Sequence, residues 1–438
     1  ILSGLVGSEM CIRDRQRSLT KEQKEAVGIL SIGTFFEQFD IMLYIHMAVL
    51  LNELFFPQTD QNVASLLSAF TFCSTFIFIP IGALIFGWVG DNIGRKSTVV
   101  LTTLLTALSC LTIAFLPTYA EIGIKASIIM IGCRILQSIA SMGEVIGALV
   151  YITEFTKPPI RYYAVALIPV LGYSGGLAAL GIASLIVYAE VNWRGIFVFG
   201  ALIALVGIAI RTKLSETKDF ANASKRLQTQ YNVNPDEEDL FYDESYKKTS
   251  FAMFCTQCAW PLCFYFVFIY CSQMLKSQFE YSVLDIIKHN FVISIFPVVS
   301  CFIRAKLSKR LHPLILFKYS LIISFFFFII IAFYLDSSPN PLGIGIFQSL
   351  LLMFTPNGYS ESSVIFPHFP VFKRFQSACL SYAFSRAFMY IATSFGLILI
   401  IKLIGISWGL IFATSCVSAI GAYGCFYFLR LEQKNIMI

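Results

Sequence analysis

Six residues on two apolar stretches could do chemistry that their neighbours cannot. Glu37, Asp40 and Tyr44 lie in "FFEQFDIMLY" (35–44), and Arg134, Gln137 and Glu144 in "RILQSIASMGE" (134–144). On a helix, Glu37 and Tyr44 share a face, with Asp40 about 60° to one side. Arg134, Gln137 and Ser141 form one stripe, with Glu144 further along. In apolar surroundings such groups can take up and release a proton. Burial disfavours a charged carboxylate and a neighbouring arginine favours it, so a change of partner or exposure decides which influence wins. The same set could hold a solute. A guanidinium grips a carboxylate through two parallel hydrogen bonds, and an acid or an aromatic face suits a cationic amine. Trp260 and Tyr265 are candidates for that face. The plainer alternative is a Glu–Arg pair that only ties two helices together.

The elements that must position these residues are long and apolar. Of 438 residues, 57% are hydrophobic and 13% charged, against about 25% charged in soluble domains. Twelve stretches reach the roughly 20 residues that span a bilayer as helix. They fall near 26–51, 62–88, 98–117, 122–149, 162–188, 194–213, 251–273, 283–303, 313–335, 342–366, 377–402 and 405–429. Within lipid every backbone group needs an internal partner, so these segments are helices. The expected class is an all-α integral membrane protein. Six spans lie on either side of one polar segment, which contains an acidic patch at 236–239 and reads as a solvated linker.

Charge gives the orientation. An even number of spans puts both termini on one side. Of 32 Lys and Arg, 25 fall on that side and 5 on the other, with Arg134 and Arg386 inside spans. The positive-inside rule then makes both termini cytoplasmic. This distribution leaves no surplus that calls for a nucleic-acid partner.

Depth sets the energetics. The first span enters near Ala26, so Glu37 lies about 16 Å in, at 1.5 Å per residue. Each charge at a helix centre costs about 3 kcal/mol, so Glu37, Asp40, Arg134 and Glu144 together cost on the order of 12 kcal/mol facing lipid. They are expected to line a cavity or pair with one another. Arg386, in the eleventh span, has no obvious acidic partner; Glu361 is the nominated one.

Other reactive residue types form no site. Cys73, Cys110, Cys133, Cys263, Cys301, Cys379, Cys416 and Cys425 are scattered, and Cys255/Cys258 is a lone C-x-x-C, so neither metal nor cofactor is expected. His46 reads as packing, and His289, His312 and His368 as solvated span ends. Gly143/Gly147 and Gly172/Gly176 suit close helix approach. Residues 1–16 differ in composition from the rest of the chain and are set aside as read-through from outside the native sequence.

One interruption is not bland. "GWVGDNIGRK" (87–96) places Gly87, Gly90, Asp91, Gly94, Arg95 and Lys96 in a tight hairpin between the second and third spans. Glycine lets another backbone come close and Gly94 supplies turn freedom. Asp91 stands where it could meet a basic side chain or the positive end of another helix. A degenerate counterpart, "RAKLSKRLHP" (304–313), lies after the eighth span.

This hairpin resembles the signature loop of the major facilitator superfamily. Further segments resemble its metabolite:proton symporter group, which includes proline/betaine transporters. These are the E-x-F-D-x-x-x-Y of 37–44, the R-x-x-Q…G-E…E of 134–154, "WRGIFVFGALIALVGIAIRTKLSET" (193–217) and "FPVFKRFQSACLSY" (369–382). Ile79, Ile196, Pro367 and Ala383 depart from the group's pattern, and Arg386 is an addition. The resemblance implies the major facilitator fold of two six-helix bundles, 17–213 and 251–430, joined by a linker at 214–250 and ending in a tail at 431–438. It implies a monomer in a bacterial inner membrane, moving a small organic solute with a coupling proton by alternating access. The hairpin would latch the cytoplasmic end. Rival readings are a transport-inactive paralogue or sensor, and an integral-membrane enzyme, for which four dispersed histidines supply no catalytic set.

Overall fold

The computed structural model describes residues 16, 18–56, 76–189, 193–212, 214, 244–337, 339–357 and 359–437. Cys73, most of the second span before residue 76, the 236–239 patch and residues 1–15 lie outside the described residues. Gln16 is described and is tied in: its N–H donates to the Pro158 carbonyl at 3.1 Å and its carbonyl accepts from Ile160 N–H at 3.3 Å.

The described chain is helical, with one isolated bridge between Gln16 and Pro159. The first half holds α1 (Lys21–Phe55), α2 (Ile79–Asn92), α3 (Arg95–Phe115), α4 (Ile124–Phe155), α5 (Ile160–Ala189) and α6 (Arg194–Arg211). The second holds α7 (Tyr246–Phe279), α8 (Val283–Leu307), α9 (Pro313–Asp336), α10 (Pro341–Phe354), α11 (Val371–Ile404) and α12 (Ile406–Met437). Among the described residues, nine of these helices are long and apolar enough to cross a membrane, and the stretches 194–209 and 341–354 are shorter apolar helices. With α2, whose upstream part lies outside the described residues, they make the expected twelve.

Boundaries reflect local chemistry. Ser282 and Asp285 form a capping box that starts α8, and Asn340 caps α10 by accepting Gly343 N–H at 2.7 Å, each satisfying donors that a helix start leaves open. Gly405, at φ 84°, ends α11, a left-handed conformation glycine adopts without strain.

The tenth span differs from expectation. Its helix stops at Phe354 rather than running on to 366, and a short helix resumes at Ser362–Ile365. Pro356 pushes Thr355 out of helical geometry, to ψ 131°. The carbonyls released there are satisfied from α8: Arg304 donates to Phe354 and Thr355 at 2.9 Å each, and Ser300 to Met353 at 2.5 Å. Irregular backbone at membrane depth survives where such donors or a cavity receive it.

The most extensive packing within the first half joins α1 to α5, and the halves meet along α2–α11 and α5–α8. Of the expected glycines Gly143 makes a close approach, while around the second pair the tightest one falls on the neighbouring Gly175. A Cβ at Gly143 would strike Thr102 on α3, and one at Gly175, beside Gly172/Gly176, would strike the Phe35 backbone on α1.

Candidate functional site

A small cavity of about 60 Å³ lies between the two halves. From the first half, Glu37, Asp40, Arg134, Gln137 and Glu144 border it, as expected; from the second come Trp260, Phe264, Tyr359, Tyr382, Arg386 and Tyr390.

The first-half residues form two separate networks rather than one. Arg134 donates from Nη1 to Asp40 Oδ2 and to Gln137 Oε1, both at 2.8 Å, and Gln137 Nε2 donates to Asp40 Oδ1 at 3.0 Å. The Tyr44 ring covers the guanidinium at 3.9 Å. The pair tying α1 to α4 is therefore Asp40–Arg134. Glu144 belongs to the second network: it accepts from Arg211 at 2.6 Å and from Thr103 at 2.5 Å, and Arg211 also donates to Thr103. Arg211, near the end of the sixth span, had been given no role, yet it is fully buried. Its signal in the sequence was an acid without a nominated partner, Glu144, two helices earlier in the chain. Both pairs sit in a medium where separating the charges leaves a desolvated ion, so each ties its helices together firmly.

Glu37 stands apart. It accepts from Gln38 Nε2 at 2.7 Å, and among the described residues no cation lies within ion-pair distance of it. Arg386 stands opposite, on α11. Glu361 does not pair with it, which corrects the nominated partner. Instead Nη1 of Arg386 donates to the Gln257 carbonyl at 3.2 Å and its guanidinium lies over the Tyr382 ring at 4.5 Å. Glu361 stands at the head of the short Ser362–Ile365 helix, reached only after the break at Pro356.

Aromatic rings complete the second-half wall. Tyr173 of α5 packs against Trp260 at 5.4 Å and Tyr359 at 6.3 Å, and Tyr390 stacks on Phe76 at 3.8 Å. Trp260 borders the cavity as expected. Tyr265 does not border it; it is buried at the start of a π-helical turn, Tyr265–Tyr270. Tyr382, Arg386 and Tyr390 were legible as one stripe, because residues four apart share a helix face.

At the hairpin, Asp91 has both a basic side chain and the backbone of another helix as partners. Asp91 pairs with Arg95 at 3.1 Å and accepts from the N–H groups of Phe375 and Gln376, at 3.1 and 2.8 Å, near the start of α11. Gly87 and Gly90 allow this. A Cβ on Gly90 would lie 2.7 Å from the Phe375 ring, and one on Gly87 would lie 2.9 Å from the Gln376 Cα. Gly94, at φ 132°, turns the chain into α3, with Lys96 in its first turn. Arg95 is fully buried and grips Glu154 of α4 with Nε and Nη2, at 3.3 and 3.1 Å, while Arg374 of α11 adds a bond to the same carboxylate at 3.0 Å. Glu154 and Arg374 lie within two of the matching segments but had been given no role. In the counterpart hairpin Lys309 replaces the acid, and its ammonium lies over the Tyr163 ring of α5 at 3.8 Å.

At the other end of the cavity the halves also meet. His46, expected only to pack, bonds through Nε2 to Asn290 of α8 at 2.9 Å and through Nδ1 to the Met42 carbonyl at 2.9 Å. His289 bonds to Gln348, and His368 to Glu432. A larger open groove of about 860 Å³ lies between α8 and α10, bordered by none of the expected site residues. No group of three metal-ligating side chains occurs among the described residues.

Fold and site together define a multi-pass helical membrane protein whose two six-helix halves border a charged, aromatic-walled cavity. The chain belongs to the Major Facilitator Superfamily, whose family model matches residues 30–363. It is 34% identical over 203 residues to an inner membrane metabolite transport protein of Escherichia coli (strain K12), covering 44% of this chain and 46% of that one. It is 28% identical over 212 residues to a proline/betaine transporter of Salmonella typhimurium, covering 47% and 42%. The chain thus spans about half the length of the curated relatives it matches. Its fold is similar to that of the proton:xylose symporter XylE bound to 6-bromo-6-deoxy-D-glucose, at a TM-score of 0.74 and 13% identity over 93% of this chain and 95% of that one.

Proposed function

We propose that this protein is a proton-coupled secondary transporter that takes up a small organic solute, proline, betaine or a related metabolite, by alternating access. The observation that carries the reading is the cavity between the halves, bordered by buried charges from both. Carriers built from two related halves bind at mid-membrane between them, and ionisable groups at that depth are functional by default.

In this reading Glu37 carries the coupling proton. The Asp40–Arg134–Gln137 cluster, covered by Tyr44, orients the first-half wall, and Glu144 with Arg211 braces it. The hairpin of Gly87, Gly90, Asp91, Gly94, Arg95 and Lys96 latches the cytoplasmic end, where both termini lie. The chain works as a monomer in the bacterial inner membrane. The relatives named for proline/betaine and metabolite transport support the solute class, and the symporter among the solved structures supports proton coupling.

Uptake into proteoliposomes, with and without an imposed pH gradient, tests it on a panel of proline, betaine, dicarboxylates and sugars. Accumulation of one solute that rises with an inward proton gradient is expected. Arg134→Ala is expected to abolish that uptake while the protein still purifies as a folded monomer. Absence of uptake for every solute tried, or undiminished uptake by Arg134→Ala, defeats the assignment.

A further inference from the structure

Charge pairing around the cavity leaves two residues over. Asp40 is matched by Arg134 and Glu144 by Arg211. Glu37 and Arg386 remain, one from each half, both bordering the cavity and neither within ion-pair distance of an opposite charge among the described residues. Arg386 is 4% exposed, and the partners described for it, the Gln257 carbonyl and the Tyr382 ring, are neutral. A buried guanidinium with only neutral partners lacks the compensation that buried charges ordinarily find. Its five donors are laid out as a fork that matches a carboxylate.

We propose that Arg386 is the receptor for a carboxylate on the transported solute. This rests on the transport reading and narrows it to small carboxylated solutes. Arg134, the other cation bordering the cavity, is already neutralised by Asp40 and held by Gln137. Trp260, Phe264, Tyr359 and Tyr390 surround the remaining space with rings, which exclude water and strengthen a charge-assisted bond. Glu37 faces Arg386 across the cavity and completes the balance. A zwitterion sets its cationic centre against the rings of Trp260 and Tyr390 while Glu37 keeps its proton. A simple anion enters together with a proton on Glu37, so the occupied cavity keeps the charge of the empty one. The anion bridges α1 and α11, and with them the two halves.

Three probes of one shape separate the possibilities: glycine betaine, a zwitterion; 3,3-dimethylbutyrate, its uncharged-carbon isostere with the carboxylate alone; and choline, which keeps the quaternary amine and lacks the carboxylate. Binding to the purified full chain is read by calorimetry, with proline and dicarboxylates as further carboxylated ligands. Carboxylated probes are expected to bind and choline is not. Betaine above dimethylbutyrate marks a zwitterion site, and the reverse marks an anion site. Arg386→Gln is expected to weaken the bound carboxylate by at least about 30-fold, the value of a lost charge-assisted bond. Arg386→Lys keeps the charge without the fork and should fall between; it carries the test should the glutamine variant not fold. Choline binding as tightly as betaine, a transported solute without a carboxylate, or full affinity in both variants overturns the proposal. Uptake of a neutral sugar overturns it while leaving the transport reading intact; uptake of nothing removes both.

Discussion

Glu37 and Asp40 stand one turn apart on α1 yet have different neighbours. Asp40 shares its two oxygens with Arg134 and Gln137, while Glu37 meets a neutral amide, that of Gln38. Moving a proton onto Asp40 would break a buried ion pair, whereas moving one onto Glu37 breaks none. On the proposed transport reading, Glu37 is therefore the acid that would carry the coupling proton. Glu37→Gln mimics the protonated carboxyl permanently, so gradient-driven accumulation is expected to fall by about 100-fold or more. Exchange of solute across the membrane without a gradient is expected to persist. Counterflow measured beside net uptake checks this; equal loss of both would make Glu37 a binding residue only. The sequence placed both acids at depth by counting from Ala26, but which of them takes Arg134 depends on how α1 and α4 are rotated against each other. That rotation is set by packing, not by the pattern of either helix alone.

At the scale of elements, the hairpin between α2 and α3 works because three chain segments converge on it. Asp91 fixes the start of α11, Arg95 grips α4 through Glu154, and Arg374 returns from α11 to the same carboxylate. Its glycines and charges were readable at 87–96, as was the need for a basic side chain or a helix start opposite Asp91. That both would be present, and that α11 would supply the helix, came only from the fold. Asp91→Asn removes the charge from a buried pair and is expected to weaken the closed end by about 3 kcal/mol. Spin labels at Ser97 and Lys373 should then show a distance distribution broadened toward longer separations in solute-free protein. An unchanged distribution would show that Glu154 and Arg374 hold the end closed without Asp91. The break in α10 shows the same limit of sequence. Pro356 announces an interruption, but its tolerance depends on Arg304 and Ser300, which α8 brings to the released carbonyls.

For the whole molecule, two six-helix halves meet at both ends of a cavity, through the hairpin at one end and His46–Asn290 at the other. Contacts of this kind on either side of a cavity are what an alternating-access carrier has to break in turn to open to each side. The 25-to-5 distribution of Lys and Arg predicts that the hairpin end and both termini face the cytoplasm. A green fluorescent reporter fused to the C-terminus is expected to fluoresce, and alkaline phosphatase fused there to stay inactive; the opposite pattern would reverse the orientation and place the latch outside.

Apolar length, charge placement and the glycine-acid-base hairpin determined by themselves that this chain spans a membrane twelve times in two halves, and which residues of the first half are too polar to face lipid. Those are properties of single segments, fixed by what each can bury and what its backbone must satisfy. Pairing was decided by tertiary structure. Arg211 proved the partner of Glu144, Glu361 proved no partner for Arg386, and Tyr382, Arg386 and Tyr390 came to border the same cavity as Glu37 only once the two halves were set together. The physical reason is that an ion pair depends on distances of a few ångströms between separate helices. No periodicity within one helix encodes them.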